Sequence, residues 1–229
     1  YEWFDRGFRA TLVELGLATE ADIDGTLARL VDADTPVREA YRMLQDAVSP
    51  RLLVDKPPPH ALNPHVLAQA EATSTAPKYT CLTRHPMAAI EAWGRMKFHG
   101  TLFGRHLGVW DDDPYRYAEK WWAVTYSNLR AFTATLPSDR VLWVAFEDVL
   151  RRPGVTCSRI SDFLGVEYDG RMTRPYADER MQAEHGDPNL RVRRELDPSL
   201  ADAWRADTPD MKLSEFTRAL ARDLGYDDV

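Results

Sequence analysis

Three short apolar runs, each halted by charged residues, interrupt a chain that otherwise repeats with a helical period, and this alternation limits the possible folds more than any other feature. The first run, Leu52 to Val54, stops at Asp55, Lys56 and three consecutive prolines. The second, Tyr79 to Thr83, stops at Arg84, His85 and Pro86. The third, Val141 to Phe146, stops at Glu147 and Asp148. Runs of this length bounded by turn residues read as strands buried on both faces.

Helical spacing fills the rest of the chain. Apolar residues at Phe8, Leu12 and Leu15, then Ile23, Leu27 and Leu30, then Val37, Tyr41 and Leu44 predict three short helices before residue 49. Thr19 with Asp22, and Thr35 before Pro36, are the expected N-caps of the second and third. Further helices are expected over Met87 to Met96 and over Tyr115 to Leu136. Strands separated by helices predict an α/β fold with a parallel sheet flanked by helices. Gly100 to Asp113, with three glycines and three aspartates, reads as a mobile surface loop.

With 229 residues, 44% of them hydrophobic and 28% charged, the chain can bury a full core, and residues 1–229 are expected to form one domain. A net charge of −7 without any block of basic residues argues against nucleic acid held through its phosphates, so an anionic ligand must be gripped locally. Cys81 and Cys157 lack CxxC spacing and read as buried thiols in a reducing compartment. The apolar runs are too short to span a bilayer and no signal-peptide pattern opens the chain, so the expectation is a cytoplasmic protein with no membrane partner.

In open α/β sheets, ligands bind beyond the carboxyl ends of the strands. Lys56 follows the first predicted strand and Arg84 the second, each then stiffened by proline. For a phosphate-bearing ligand, arginine supplies a planar fork and lysine a compact charge, and a helix opening at Pro86 adds positive potential. Taken singly, a basic residue at a strand end is more often a solvated terminus.

Together these residues carry a resemblance. Leu53-Val54-Asp55-Lys56-Pro57-Pro58 resembles the lysine loop of sulfotransferases that use 3′-phosphoadenosine-5′-phosphosulfate (PAPS), and Leu82-Thr83-Arg84-His85-Pro86 resembles their 3′-phosphate arginine motif. Ala145-Phe146-Glu147-Asp148-Val149 with Arg152-Pro153, followed by Ile160-Ser161-Asp162-Phe163-Leu164-Gly165-Val166, resembles the family's acidic strand end and next helix. Within the family, Gly186-Asp187-Pro188-Asn189-Leu190 and the segment from Leu196 to Trp204 are most similar to the sulfotransferase domains of bacterial modular polyketide synthases.

The resemblance implies a P-loop NTPase-like parallel sheet and transfer of a sulfuryl group from PAPS to a hydroxyl, leaving 3′-phosphoadenosine-5′-phosphate (PAP). The narrower similarity implies that the acceptor is the β-hydroxyl of an acyl chain on an acyl carrier protein within a larger synthase, before decarboxylative chain termination. It implies that Arg84 binds the 3′-phosphate, that Lys56 stabilises charge on the oxygen between phosphate and sulfate, and that Arg191, Arg193 and Arg194 lie in a segment closing over the nucleotide.

Two features depart from the family pattern. No glycine- and serine-rich phosphosulfate loop is present, so the domain is expected to lack its N-terminal strand and that loop. Ala92 stands where the family places a serine that shares the 3′-phosphate. For the general base, His60 is the better local choice and Glu2 a weaker one. The remaining histidines show no ligand spacing, so no metal is expected. Trp93, Trp121 and Trp122 could stack on adenine, but their helical spacing favours the core. The competing readings are a non-catalytic remnant of the same fold serving as an interaction or spacer domain, or a sulfotransferase for another small alcohol. A nucleotide kinase would need Walker features that the chain lacks.

Overall fold

The computed structural model describes residues 2–56, 58–97, 109–175, 196–207 and 211–229. They gather into two compact units: Tyr1–His60 with Pro64–Pro77, and Ala61–Asn63 with Lys78–Val229.

The first unit is helical. It holds α1 (Glu2–Glu14), α2 (Ile23–Asp32), α3 (Val37–Val48) and α4 (Pro64–Thr73). The three helices expected before residue 49 are present; α1 touches α2, and α3 packs on α4. Among the described residues, Leu12, Leu44 and Leu67 are its buried apolar side chains. The expected caps differ in detail. Asp22 does occupy the N-cap of α2, but its carboxylate accepts from Arg29 Nη2 at 2.9 Å rather than from the helix amides. Pro36, not Thr35, is the residue preceding α3.

The run Leu52 to Val54 corrects the sequence reading, because it is not a strand. Among the described residues it pairs with no other segment, and Leu52 and Val54 are 48% and 78% exposed. Apolar character favours a strand only where a neighbouring ladder and a covering layer exist to receive it.

The second unit holds the sheet. β1 (Tyr79–Thr83) and β2 (Val141–Ala145) pair in parallel, with Tyr79 opposite Val141 and Thr83 opposite Ala145. Parallel neighbours require a long crossover, and here it is made by α5 (Pro86–Met96) and α6 (Pro114–Thr133). The side chain of Asp113 caps α6 by accepting from the Tyr115 and Arg116 amides, and proline occupies the first turn. Phe146, expected to close the third run, instead opens α7 (Phe146–Arg151), which is followed by α8 (Pro153–Leu164), α9 (Trp204–Asp207) and α10 (Glu215–Asp223). Gly165 ends α8 with φ +75°, where any other residue would be strained.

The main core of this unit joins Ile90 on α5 to Ala118, Trp122, Ala123 and Tyr126 on α6 and to Leu213, Leu220 and Ala221 near α10. Burial of a side chain such as Ile90 contributes roughly 1.5–3 kcal/mol. A second cluster packs Leu62, Val109, Tyr117 and Trp121. Cys81 is a buried free thiol whose pKa is pushed up to about 11 by burial, as its apolar context suggested, while Cys157 is free and only half-buried. Of the expected loop, residues 100–108 lie outside the described residues, and Val109 is buried. Among the described residues no helix is long and apolar enough to cross a membrane.

Candidate functional site

The in-register parallel pair determines what leaves the sheet. Because Thr83 faces Ala145, the chain passes from β1 into Arg84 and His85 alongside Phe146 and Glu147 emerging from β2. This is the carboxyl edge, where α/β folds receive ligands.

At that edge the backbone is held on several sides by side chains from other elements. The Tyr126 hydroxyl donates to the Leu82 carbonyl at 3.1 Å. Trp122 Nε1 donates to the Arg84 carbonyl at 3.1 Å. The His85 amide donates to Glu147 Oε1 at 2.9 Å. Tyr126 and Trp122 lie four residues apart on one face of α6, which is why a single helix can service both carbonyls. Backbone polar groups leaving a ladder need such partners, since a buried one without any costs about 1–3 kcal/mol.

Arg84 is half-buried and its guanidinium lies over the Phe146 ring, 5.1 Å from the centroid. An aromatic face beneath the guanidinium limits the rotamers open to it. Pro86 opens α5 immediately afterwards, so the helix amides face the same edge.

Glu147 is 7% exposed and shares its second oxygen with the chain's last residues: Tyr226 donates its hydroxyl to Oε2 at 3.1 Å and lies 3.0 Å from Thr83 Oγ1. Burial, followed by the nearby Glu147 charge, drives the Tyr226 phenol well above its ordinary pKa, so it stays a donor. The His85 ring stacks on Trp204 at 4.1 Å, meets Tyr226 edge-on at 5.3 Å and places Nε2 3.2 Å from Asp228 Oδ1. Burial lowers the His85 pKa, only partly offset by Asp228 and Glu147. Asp228 also pairs with Arg205, which holds its carboxyl below the usual range.

The other expected residues fall elsewhere. Ala92 is half-buried on α5 and offers no hydrogen-bonding side chain. Lys56 and His60 belong to the first unit. Lys56 is exposed on the irregular segment after Val54; next to it, Asp55 accepts from the Tyr41 hydroxyl of α3 at 3.0 Å, and burial with the Asp55 charge brings the Tyr41 pKa up to about 12. His60 is half-buried in the 3₁₀ turn Pro58–Leu62. Arg191, Arg193 and Arg194 lie outside the described residues, as does Gly186 to Leu190. Trp121 and Trp122 are core residues, and Trp93 packs edge-on against Trp121 with centroids 5.1 Å apart.

Sequence reasoning missed how Glu147, Tyr226 and Asp228 meet at the Arg84 turn. Glu147 had a visible signal, a carboxylate directly after a strand; Tyr226 and Asp228 had none, since nothing local marks their partners Thr83 and His85, more than a hundred residues away.

Parallel strands ending together behind an arginine and a helix N-terminus define an α/β protein with the P-loop-like sheet of sulfotransferases. The Sulfotransferase family model matches residues 10–170, and the chain belongs to that family. It is similar to the solved sulfotransferase domain from the curacin biosynthetic pathway, at 30% identity and a TM-score of 0.85 over 96% of this chain and 78% of that one. It is also similar to the sulfotransferase domain from the Synechococcus PCC 7002 olefin synthase, at 33% identity and a TM-score of 0.84 over 96% of this chain and 75% of that one. No curated protein matches the sequence.

Proposed function

We propose that the chain transfers a sulfuryl group from PAPS to the β-hydroxyl of an acyl chain carried on an acyl carrier protein. The observation that carries this reading is the Arg84 turn: a cation placed at the carboxyl edge of a parallel sheet, its backbone held by Trp122 and Glu147 and its guanidinium held over Phe146. Such a fixed fork suits the 3′-phosphate of the donor. The similarity to domains from the curacin and olefin synthase pathways supports the choice of acceptor.

In this reading the bond between sulfur and the bridging oxygen of PAPS breaks as the acceptor oxygen bonds to sulfur. Lys56 neutralises charge developing on the bridging oxygen, and His60 takes the hydroxyl proton. Arg191, Arg193 and Arg194 supply further phosphate contacts. The setting is a larger multidomain synthase in the cytoplasm, PAP is the second product, and no metal is needed. Sulfuryl transfer of this kind draws its rate mainly from positioning and electrostatics.

The test is to incubate β-hydroxyacyl carrier proteins with PAPS and weigh the products by mass spectrometry. One added sulfuryl group on the carrier-bound chain is expected; sulfation of a phenol or sugar but never of that chain overturns the acceptor assignment. Ala92 favours a second reading, a remnant of the fold that no longer binds the donor. Calorimetry with PAP separates the two: a Kd of about micromolar supports the enzyme, and no binding supports the remnant.

A further inference from the structure

We infer that Glu147 is a positioning residue for the nucleotide, setting the peptide plane between Arg84 and His85 and, through it, the direction of the Arg84 side chain at the sheet edge. The inference rests on the proposed role of Arg84 in holding the donor's 3′-phosphate. The Arg84 carbonyl and the His85 amide belong to one planar peptide unit. Trp122 of α6 donates to its oxygen at 3.1 Å, and Glu147 of α7 accepts from its nitrogen at 2.9 Å. Two elements therefore grip opposite sides of a single plane, which fixes ψ of Arg84 and φ of His85 and thereby the direction in which the arginine side chain leaves the backbone.

Glu147 is itself held. Its second oxygen receives the Tyr226 hydroxyl at 3.1 Å, and that hydroxyl lies 3.0 Å from Thr83 Oγ1, so the carboxylate is tied back to the last residue of β1. At 7% exposure little water competes for it. A long side chain on a free turn would have to be ordered when the ligand arrives; here that ordering cost is met on folding, leaving more of the phosphate interaction for affinity.

The test is a double-mutant cycle on PAP affinity in the full-length protein, measured by calorimetry alongside thermal melts. Glu147→Ala is expected to weaken PAP about tenfold or more in the natural background. In an Arg84→Lys background, where the planar fork is already gone, the same change is expected to cost less than about threefold. Glu147→Gln keeps an acceptor for the His85 amide, with Tyr226 turning its proton to Thr83, and is expected to restore affinity to within about threefold. Equal losses in both backgrounds, or a folded Glu147→Gln as weak as the alanine variant, overturn the inference. Should Glu147→Ala fail to fold, Tyr226→Phe, which frees one carboxylate oxygen only, is expected to weaken PAP about threefold in the natural background and not in Arg84→Lys. Equal loss in both sinks the idea. A natural protein that binds no PAP removes the donor reading itself, and the inference falls with it.

Discussion

Lys56 and Arg84 looked alike in sequence, each a basic residue after a short apolar run and before proline, yet the structure treats them differently. The Arg84 turn follows a paired strand, and Trp122, Tyr126 and Glu147 hold the backbone around it. The Lys56 segment is irregular and exposed, and among the described residues it pairs with no strand, with Asp55 held by Tyr41 beside it. A bidentate phosphate contact needs an oriented fork, whereas a charge that follows a moving oxygen works from a flexible stem. The two regions thus differ in how firmly neighbouring side chains hold the backbone at each cation.

The sharpest way to break this comparison is at Lys56. Lys56→Ala is expected to lower the transfer rate about 100- to 1000-fold while changing stability by less than about 0.5 kcal/mol, because the residue is exposed. Turnover assays paired with thermal melts check it, and a large loss of stability would show that the segment is structural.

Next in size is the packing that supports the Arg84 side. Gly94 on α5 lies against the ring of Tyr115, into which a Cβ would intrude. Gly94→Ala is expected to cost about 1–3 kcal/mol by overpacking, read as a lower midpoint in denaturant. The equivalent exposed change Val54→Ala in the Lys56 segment is expected to fall within about 0.5 kcal/mol.

A smaller effect follows from His85. Its folded pKa is depressed below 6.5 by burial, so below that pH the unfolded chain takes up a proton that the native ring resists. Stability is therefore expected to fall as pH drops from 6.5 toward the folded pKa, and His85→Gln to flatten that part of the profile. Asp228 and Asp202 are held below 3.8 mainly by Arg205 and Arg151 respectively, so their contribution is lost as the pH falls below 3.8.

The smallest change is expected at Tyr41→Phe, which removes the bond to Asp55. It should cost about 0.5–1.5 kcal/mol in melts and leave PAP affinity at the Arg84 side unchanged.

The reasons for partial legibility lie in particular residues. Leu82-Thr83-Arg84-His85-Pro86 was readable because local rules act on adjacent residues: a strand, a cation, then a proline that can open a helix. Trp121 and Trp122 declared themselves as core by helical spacing. Leu52 to Val54 misled because its composition matches that of Val141 to Val144, and only a neighbouring ladder separates the two cases. The Tyr226 and Asp228 contacts were invisible because they depend on how the chain's end returns to β1, which no local pattern encodes.

That return has a consequence for biosynthesis. A ribosome releases residue 84 long before residues 226 to 228, yet Glu147 and Tyr226 must both be in place before the Arg84 turn reaches its final form. Contacts so distant along the chain form late. A nascent polypeptide halted near residue 200 would carry β1, β2 and the whole crossover between them, but its Arg84 turn would be unfinished.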